Sequence, residues 1–186
     1  PTTNAPKYIQ VNRDKVGTLL VGATVKLTPN YVLDEYYNPL AVNASDFVLT
    51  PQNNTVTVNG LSYTAVAPGS ERLTVSNKGA TQTISFNVVD APAGLSISGV
   101  TGPVEPNASL QLKANVTGSN NETLIYNDSQ IKWSVDGNIG SVSSSGLFKS
   151  NGKEGTARVT ATLGTKSVSK DIVVKAVEKP LFKDIS

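Results

Sequence analysis

The chain has 186 residues, of which 16 are basic and 14 acidic, and it contains no Cys, Met or His. The missing Cys excludes disulfides and thiolate metal sites, and the missing His excludes His-ligated zinc and any Ser-His or Cys-His nucleophile. A net charge of +2 without a Lys/Arg cluster argues against a nucleic-acid partner, and no apolar run approaches the length of a membrane span.

Alternation of apolar and polar residues is the dominant pattern along the chain. Gly, Pro, Asn and Ser bound the alternating segments, and no convincing helical periodicity is present. The clearest predicted strands lie at residues 24–28, 72–75, 83–88, 110–113 and 158–163. Short, numerous and evenly spaced strands indicate a β-sandwich or a β-barrel, so the predicted fold class is all-β.

The segment Asp-Glu-Tyr-Tyr-Asn at residues 34–38 is the most varied surface candidate. Its candidate ligand-binding residues are Asp34, Glu35, Tyr36 and Tyr37. Two carboxylates beside two tyrosines are suited to binding a sugar by stacking and hydrogen bonding, or to helping hold a calcium ion with oxygen ligands. The competing interpretation, which we prefer, is a solvated loop whose tyrosines pack as a lid over the end of a sandwich.

Four sequence blocks recur in the same order at a spacing of 85 or 86 residues. The matched blocks are 25–27 with 110–112, 59–61 with 145–147, 69–75 with 155–161, and 88–89 with 173–174. This repetition predicts two similar β domains at residues 1–90 and 91–178. Their junction lies where Pro92 and Gly94 interrupt the strand pattern.

The single tryptophan, Trp133, lies in a segment that alternates apolar and polar residues. Alternation places Ile131, Trp133 and Val135 on one face of a strand. An exposed platform for sugar stacking and a plug of the hydrophobic core are the two interpretations of the ring. Because the first repeat has Leu49 at the matching position, we predict that Trp133 is a core residue.

The second repeat contains Trp133-Ser134 in one strand, a Ser145-Gly146-Leu147 hairpin, a Gly155-Thr156-Ala157 strand start and a Val-rich last strand at 172–174. With these features it resembles the bacterial immunoglobulin-like (Big) domain. Gly146 supplies the positive φ that a tight turn needs. The first repeat fits more loosely, and its residues 34–40 are similar to an Asp-x-x-Gly-Asn-Pro-Val loop with Tyr37 in place of Gly. The resemblance implies two tandem immunoglobulin-like β-sandwich domains.

The last residues, 179–186, form either a linker or the start of a further domain. Within them, Phe182-Lys183-Asp184-Ile185 resembles the opening of an S-layer homology domain, and a frayed tail is the alternative. The chain begins with Pro1 rather than Met, so we expect it to be part of a longer protein.

The family resemblance implies a non-catalytic extracellular spacer or stalk module of a secreted or cell-wall-anchored bacterial surface protein. Its expected partners are the neighbouring domains of the same polypeptide, with cell-wall polysaccharide or a host or environmental glycan as further candidates. The alternative is an adhesin-like or carbohydrate-binding module that acts through its end loops. We expect no enzyme activity, because His is missing and no two carboxylates are spaced as an acid/base pair. We also expect no cofactor and no bound metal, because Cys and His are missing and the EF-hand spacing is absent.

Overall fold

The chain is an all-β protein in the computed structural model, which describes residues 3–178. Its strands are β1 (Tyr8–Arg13), β2 (Thr18–Leu20), β3 (Thr24–Leu33), β4 (Phe47–Pro51), β5 (Val56–Asn59), β6 (Ser62–Ala65), β7 (Gly69–Asn77), β8 (Ala80–Val89), β9 (Gly94–Ser98), β10 (Ser109–Gln111), β11 (Lys113–Thr117), β12 (Leu124–Ile125), β13 (Lys132–Asp136), β14 (Gly140–Val142), β15 (Leu147–Ser150), β16 (Gly155–Leu163) and β17 (Lys166–Val174). Short 3-10 turns occur at Ala44–Asp46 and Asp128–Gln130. Within residues 3–178, no helix is long and apolar enough to cross a membrane.

The chain divides into two compact units. Unit 1 consists of Pro1–Gly94 with Val116–Asn127, and unit 2 consists of Leu95–Asn115 with Asp128–Ser186. The segment Val116–Asn127, which the repeat assigns to the second domain, therefore belongs to unit 1. The predicted domain limits of 1–90 and 91–178 follow the repeat and place this segment in the second domain. These limits stay predictions. The predicted linker or domain start at 179–186 lies outside the described residues.

Unit 1 is a sandwich of two sheets. One sheet has the strand order β1-β3-β6-β5, and the other has the order β12-β2-β8-β7-β4. The pairs are antiparallel, except that β2 runs parallel to both β8 and β12. With β1 and β3 to β8 taken as strands A to G, the sheets read ABED and CFG. That is the immunoglobulin arrangement, so the predicted fold class is confirmed.

Alternating side chains of both sheets fill the core of unit 1. In β7 the inward row consists of Glu71, Leu73, Val75 and Asn77, and all four are buried. Leu73 and Val75 are 0% exposed. Burial of an aliphatic side chain of this size stabilises the fold by about 1.5–3 kcal/mol. The period of two in the sequence thus places a carboxylate in the same buried row as the aliphatic residues.

The segment Val116–Asn127 adds the short strand β12 to the second sheet of unit 1. Both residues of β12 are buried and pair with β2. Beyond the strand, Asn127 Oδ1 accepts a 2.9 Å hydrogen bond from the backbone N–H of Thr24. Its Nδ2 donates a 3.0 Å hydrogen bond to the carbonyl of Gly22. Burial and these hydrogen bonds together hold the segment against unit 1.

Unit 2 has the same arrangement with more interrupted strands. Its strand orders are β11-β9, β10-β15-β14 and β13-β16-β17. The counterpart of β3 is divided into β10, which pairs with β15, and β11, which pairs with β9. An isolated parallel bridge between Val104 and Val174 stands where β2 meets β8 in unit 1. The blocks that recur in the sequence therefore fall on equivalent strands and on an equivalent hairpin turn of the two units.

Trp133 is only half-buried, so the prediction that it plugs the core holds in part. Ile131 is buried as predicted, while Trp133 and Val135 keep part of their surface exposed on the same face. The indole lies over Gly146, where a Cβ would be 3.0 Å from Trp133 Cζ2. Gly146 has a φ of +84°, which confirms its predicted role. Because the ring extends over this hairpin, one part of it stays accessible.

Candidate functional site

The loop at residues 34–38 is built around the buried side chain of Asp34, which follows the end of β3. Asp34 Oδ1 accepts 2.9 Å hydrogen bonds from the backbone N–H groups of Tyr36 and Asn38. Its Oδ2 accepts a 2.9 Å hydrogen bond from the N–H of Thr3. The Tyr37 N–H donates to the Asp34 carbonyl at 3.0 Å, which closes the turn. The carboxylate therefore fixes the loop from inside.

The charged form of Asp34 is the form that these contacts stabilise. Burial by itself would raise its pKa, but hydrogen bonds from Thr3, Asn38 and Tyr36 outweigh burial and hold the pKa below its usual value. With 0% of its surface exposed, Asp34 is not available to a ligand. Of the predicted ligand-binding residues, it is the one that the structure assigns to the framework of the loop.

Glu35, Tyr36 and Tyr37 are the exposed residues of the loop. Tyr36 is 48% exposed and Tyr37 is 67% exposed, so neither ring is buried as a lid. Glu35 is also exposed. Within residues 3–178, no three acidic, His or Cys side chains are grouped to hold a metal ion. The loop thus presents phenol rings and one free carboxylate to solvent.

The ring of Tyr37 stacks on Tyr8, a residue that no sequence pattern marks as part of the site. Its centroid lies 4.9 Å from that of Tyr8, and the two planes differ by 5°. Tyr37 has a φ of +66°, a left-handed conformation that costs a non-glycine residue about 1–2 kcal/mol. The sequence carries one signal of this strain. Residues 34–40 are similar to an Asp-x-x-Gly-Asn-Pro-Val loop, in which Gly stands at the position of Tyr37. A hydrogen bond with Tyr37 raises the pKa of the Tyr8 hydroxyl.

A second buried carboxylate, Glu71, fixes the segment at residues 52–55. Glu71 Oε1 accepts hydrogen bonds from the backbone N–H groups of Gln52 at 2.8 Å and Asn53 at 2.9 Å. Its Oε2 accepts from the N–H of Thr55 at 3.0 Å and from the Thr55 hydroxyl at 2.7 Å. Glu71 is 3% exposed. Like Asp34, it organises a loop through backbone donors.

Hydrogen bonding also keeps Glu71 ionised. Burial alone would raise its pKa, but hydrogen bonds from Thr55, Asn53 and Arg72 outweigh burial and hold the pKa below its usual value. A shallow groove of about 440 Å³ runs beside it. The sequence feature that marks Glu71 is its place in the alternating row of β7. The residue that matches it in the second repeat is Ala157.

A second groove, in unit 2, contains the accessible part of Trp133. It has a volume of about 520 Å³ and is lined by Asp128, Ser129, Ile131, Lys132, Trp133, Ser144 and Ser145. The indole is therefore accessible from one side, next to hydroxyl groups and one charge of each sign. One part of the Trp133 ring is buried, as the core interpretation predicts, and the other part is accessible, as the platform interpretation requires.

The chain matches no protein-family model and no curated protein. Its fold is similar to that of solved surface-protein structures. Domains 4 and 5 of the S-layer protein SbsC have a TM-score of 0.41 and 21% identity, with 92% of this chain and 100% of that one covered. The Escherichia coli adhesin FdeC has a TM-score of 0.43 and 18% identity, with 96% and 66% covered. The bacterial integrin-binding protein invasin has a TM-score of 0.35 and 16% identity, with 92% and 40% covered.

Proposed function

We propose that the chain is a non-catalytic structural module of an extracellular bacterial surface protein, where it serves as a spacer or stalk. The observation that carries this proposal is the way in which unit 1 holds its loops. The buried carboxylates of Asp34 and Glu71 accept hydrogen bonds from neighbouring backbone N–H groups. These loops are therefore fixed by the chain itself, without a ligand. A spacer needs this property, because it has to keep its shape between other domains.

The repetition of one sandwich supports the same function. Each unit has its own set of sheets, and equivalent strands occur in both. A repeated sandwich adds length without adding a new kind of site. The partners that this function requires are the neighbouring domains of the same polypeptide, at the bacterial cell wall or surface.

A carbohydrate-binding or adhesin-like module is the second candidate function. The exposed rings of Tyr36 and Tyr37 favour it, since a spacer has no need of exposed aromatic side chains. A cell-wall polysaccharide or a host or environmental glycan is the partner that this alternative requires. The residues that would contact it are Glu35, Tyr36 and Tyr37, while Asp34 supports the loop from beneath.

Replacement of the module within the protein that carries it tests the spacer function. One strain lacks residues 1–178, and a second has an unrelated immunoglobulin-like pair of similar length in their place. If the module is a spacer, the deletion reduces antibody access to the neighbouring domains on intact cells, and the replacement restores it. If the replacement restores access but not attachment to a glycan-coated surface, the chain is a binding module.

A further inference from the structure

The outer face of the β1-β3-β6-β5 sheet carries a group of exposed tyrosines. Tyr8 on β1 and Tyr31 on β3 are each 36% exposed, and Tyr37 covers Tyr8 from the adjoining loop. Tyr31 is paired with Gln10, which lies two residues after Tyr8 in the same strand. Residues two apart in a strand share a face, and paired residues do so as well. The three tyrosines therefore lie on one side of unit 1.

A β-bulge adds two amide groups to this face. The pairing of β1 with β3 shifts between Gln10 and Val11, so that Asn30 has no opposite residue. Asn30 and Tyr31 are consequently both exposed, although they are neighbours in the strand. Asn30 Nδ2 donates a 3.3 Å hydrogen bond to Gln10 Oε1, which places both amides beside the rings. A bulge of this kind commonly re-aims side chains next to a functional site.

The stacked tyrosine pair is held in place before any partner arrives. Tyr37 keeps its strained φ of +66° because Asp34 closes the turn around it. Its ring lies nearly parallel to that of Tyr8, with a 5° angle between the planes. Backbone strain that the surrounding structure maintains is common at ligand-binding positions. A ring that is already ordered loses little further freedom on binding.

We infer that Tyr8, Tyr31 and Tyr37, with the amides of Gln10 and Asn30, form a platform for a neutral polysaccharide. Phenol rings offer flat apolar faces to the C–H faces of sugar rings, and amide groups donate to and accept from sugar hydroxyls. The five side chains are phenols and carboxamides without a formal charge, so the platform itself complements an uncharged ligand. The inference deepens the second candidate function, on which it rests, and does not depend on the spacer function.

The shape of the platform favours a polymer over a free sugar. The residues lie on the outer face of a sheet, where Tyr8 and Tyr31 are each 36% exposed and Tyr37 is 67% exposed. Small ligands are normally held in concave pockets that cover most of their surface. An extended chain can instead contact several exposed rings in succession. The occupant that suits this face is therefore a linear polysaccharide.

Native affinity electrophoresis tests the platform. The protein runs in gels that contain hydroxyethylcellulose, galactomannan or neutral arabinoxylan, and polygalacturonate serves as the anionic comparison. We expect at least one neutral polymer to retard the protein and polygalacturonate to leave its mobility unchanged. Retardation by none of the neutral polymers, or by polygalacturonate alone, would overturn the inference.

Variants locate the binding on this face. Tyr31→Ala and Tyr37→Gly each remove one ring, and we expect each to weaken the apparent affinity by roughly tenfold. Val48→Ala is the matched control, since Val48 is 57% exposed on the other sheet of unit 1 and has no part in the platform. Circular dichroism confirms that each variant is folded. Equal retardation of all variants would overturn the inference.

Two further measurements separate the platform from other sites and occupants. Tyr36→Ala removes the loop ring that is outside the platform, and a loss confined to this variant would assign binding to the loop alone. Sedimentation of the protein by itself distinguishes a second copy as the occupant. A dimer that Tyr31→Ala dissociates would show a protein interface on this face and would overturn the carbohydrate assignment.

Discussion

The hydroxyl of Thr55 donates a 2.7 Å hydrogen bond to Glu71 Oε2 inside unit 1. The equivalent pair in unit 2 is apolar. Ala157 occupies the position of the second repeat that matches Glu71, 86 residues further along the chain. Ile139 lies beside Gly155 in the same way that Thr55 lies beside Gly69. All four residues of the two pairs are buried. The same sandwich position is thus filled by a hydrogen-bonded pair in one unit and by hydrocarbon in the other.

Glu71→Ala should destabilise unit 1 substantially. The substitution leaves the N–H groups of Asn53 and Thr55 and the Thr55 hydroxyl without the Glu71 acceptor, while the Gln52 N–H keeps the carbonyl of Arg72 as an acceptor. We expect a loss of about 3 kcal/mol in the free energy of unfolding, because hydrogen bonds to charged groups contribute roughly 1.5–3 kcal/mol each and are not additive. Urea denaturation followed by far-UV circular dichroism measures it. A loss below about 0.5 kcal/mol, typical of a surface substitution, would contradict the role given to Glu71.

Installing the unit 2 pair in unit 1 should recover part of that loss. In the double variant Thr55→Ile and Glu71→Ala, no buried hydroxyl lacks a partner. We expect the double variant to be about 1 kcal/mol more stable than the sum of the two single effects predicts. A double-mutant cycle by urea denaturation gives this coupling energy. Strict additivity would show that the hydroxyl and the carboxylate act independently.

Acid should destabilise unit 1 through its two buried carboxylates. The pKa values of Asp34 and Glu71 in the folded state lie below their usual values. Their contribution to stability is therefore complete above the unfolded-state pKa of about 4 and is lost as the pH falls through the folded-state pKa. Thermal unfolding at a series of pH values should show a melting temperature that is level near neutrality and falls in acid. Glu71→Gln should flatten that fall, and an unchanged profile would contradict the assignment.

Gly should suit position 37 better than Ala. Both Tyr37→Gly and Tyr37→Ala remove the ring that stacks on Tyr8, so the stacking energy cancels between them. The φ of +66° is open to Gly but disfavours any residue with a Cβ. We expect the Gly variant to be more stable than the Ala variant by about 1 kcal/mol. Differential scanning calorimetry compares the two. Equal stability would mean that the backbone at residue 37 relaxes once the ring is removed.

Gly146→Ala should destabilise unit 2 and change the environment of Trp133. A Cβ at Gly146 would lie 2.8 Å from the carbonyl oxygen of Leu112 and 3.0 Å from Trp133 Cζ2. A φ of +84° also disfavours any residue with a Cβ. We therefore expect the free energy of unfolding to fall by about 2–3 kcal/mol. Since Trp133 is the single tryptophan, its fluorescence reports on this contact. Unchanged emission and an unchanged unfolding midpoint would show that the hairpin accommodates the methyl group.

The sequence by itself determined the elements that depend on local pattern. Alternation with a period of two predicted the strands, and recurrence at 85 or 86 residues predicted two copies of one sandwich. The positive φ at Gly146 followed from the hairpin pattern in the same way. These features are predictable because side-chain alternation and turn geometry are properties of neighbouring residues.

Only the tertiary structure decided which polar residues are part of the framework and which are free. The sequence pattern indicates Asp34 as a ligand residue, but in the structure its carboxylate accepts hydrogen bonds from backbone N–H groups. One of these groups belongs to Thr3, 31 residues away. The stack of Tyr37 on Tyr8 joins a loop to another strand. Such contacts depend on strand register and loop closure across the fold. Neighbouring residues do not encode them, because burial and hydrogen bonding are set by what the whole chain brings together.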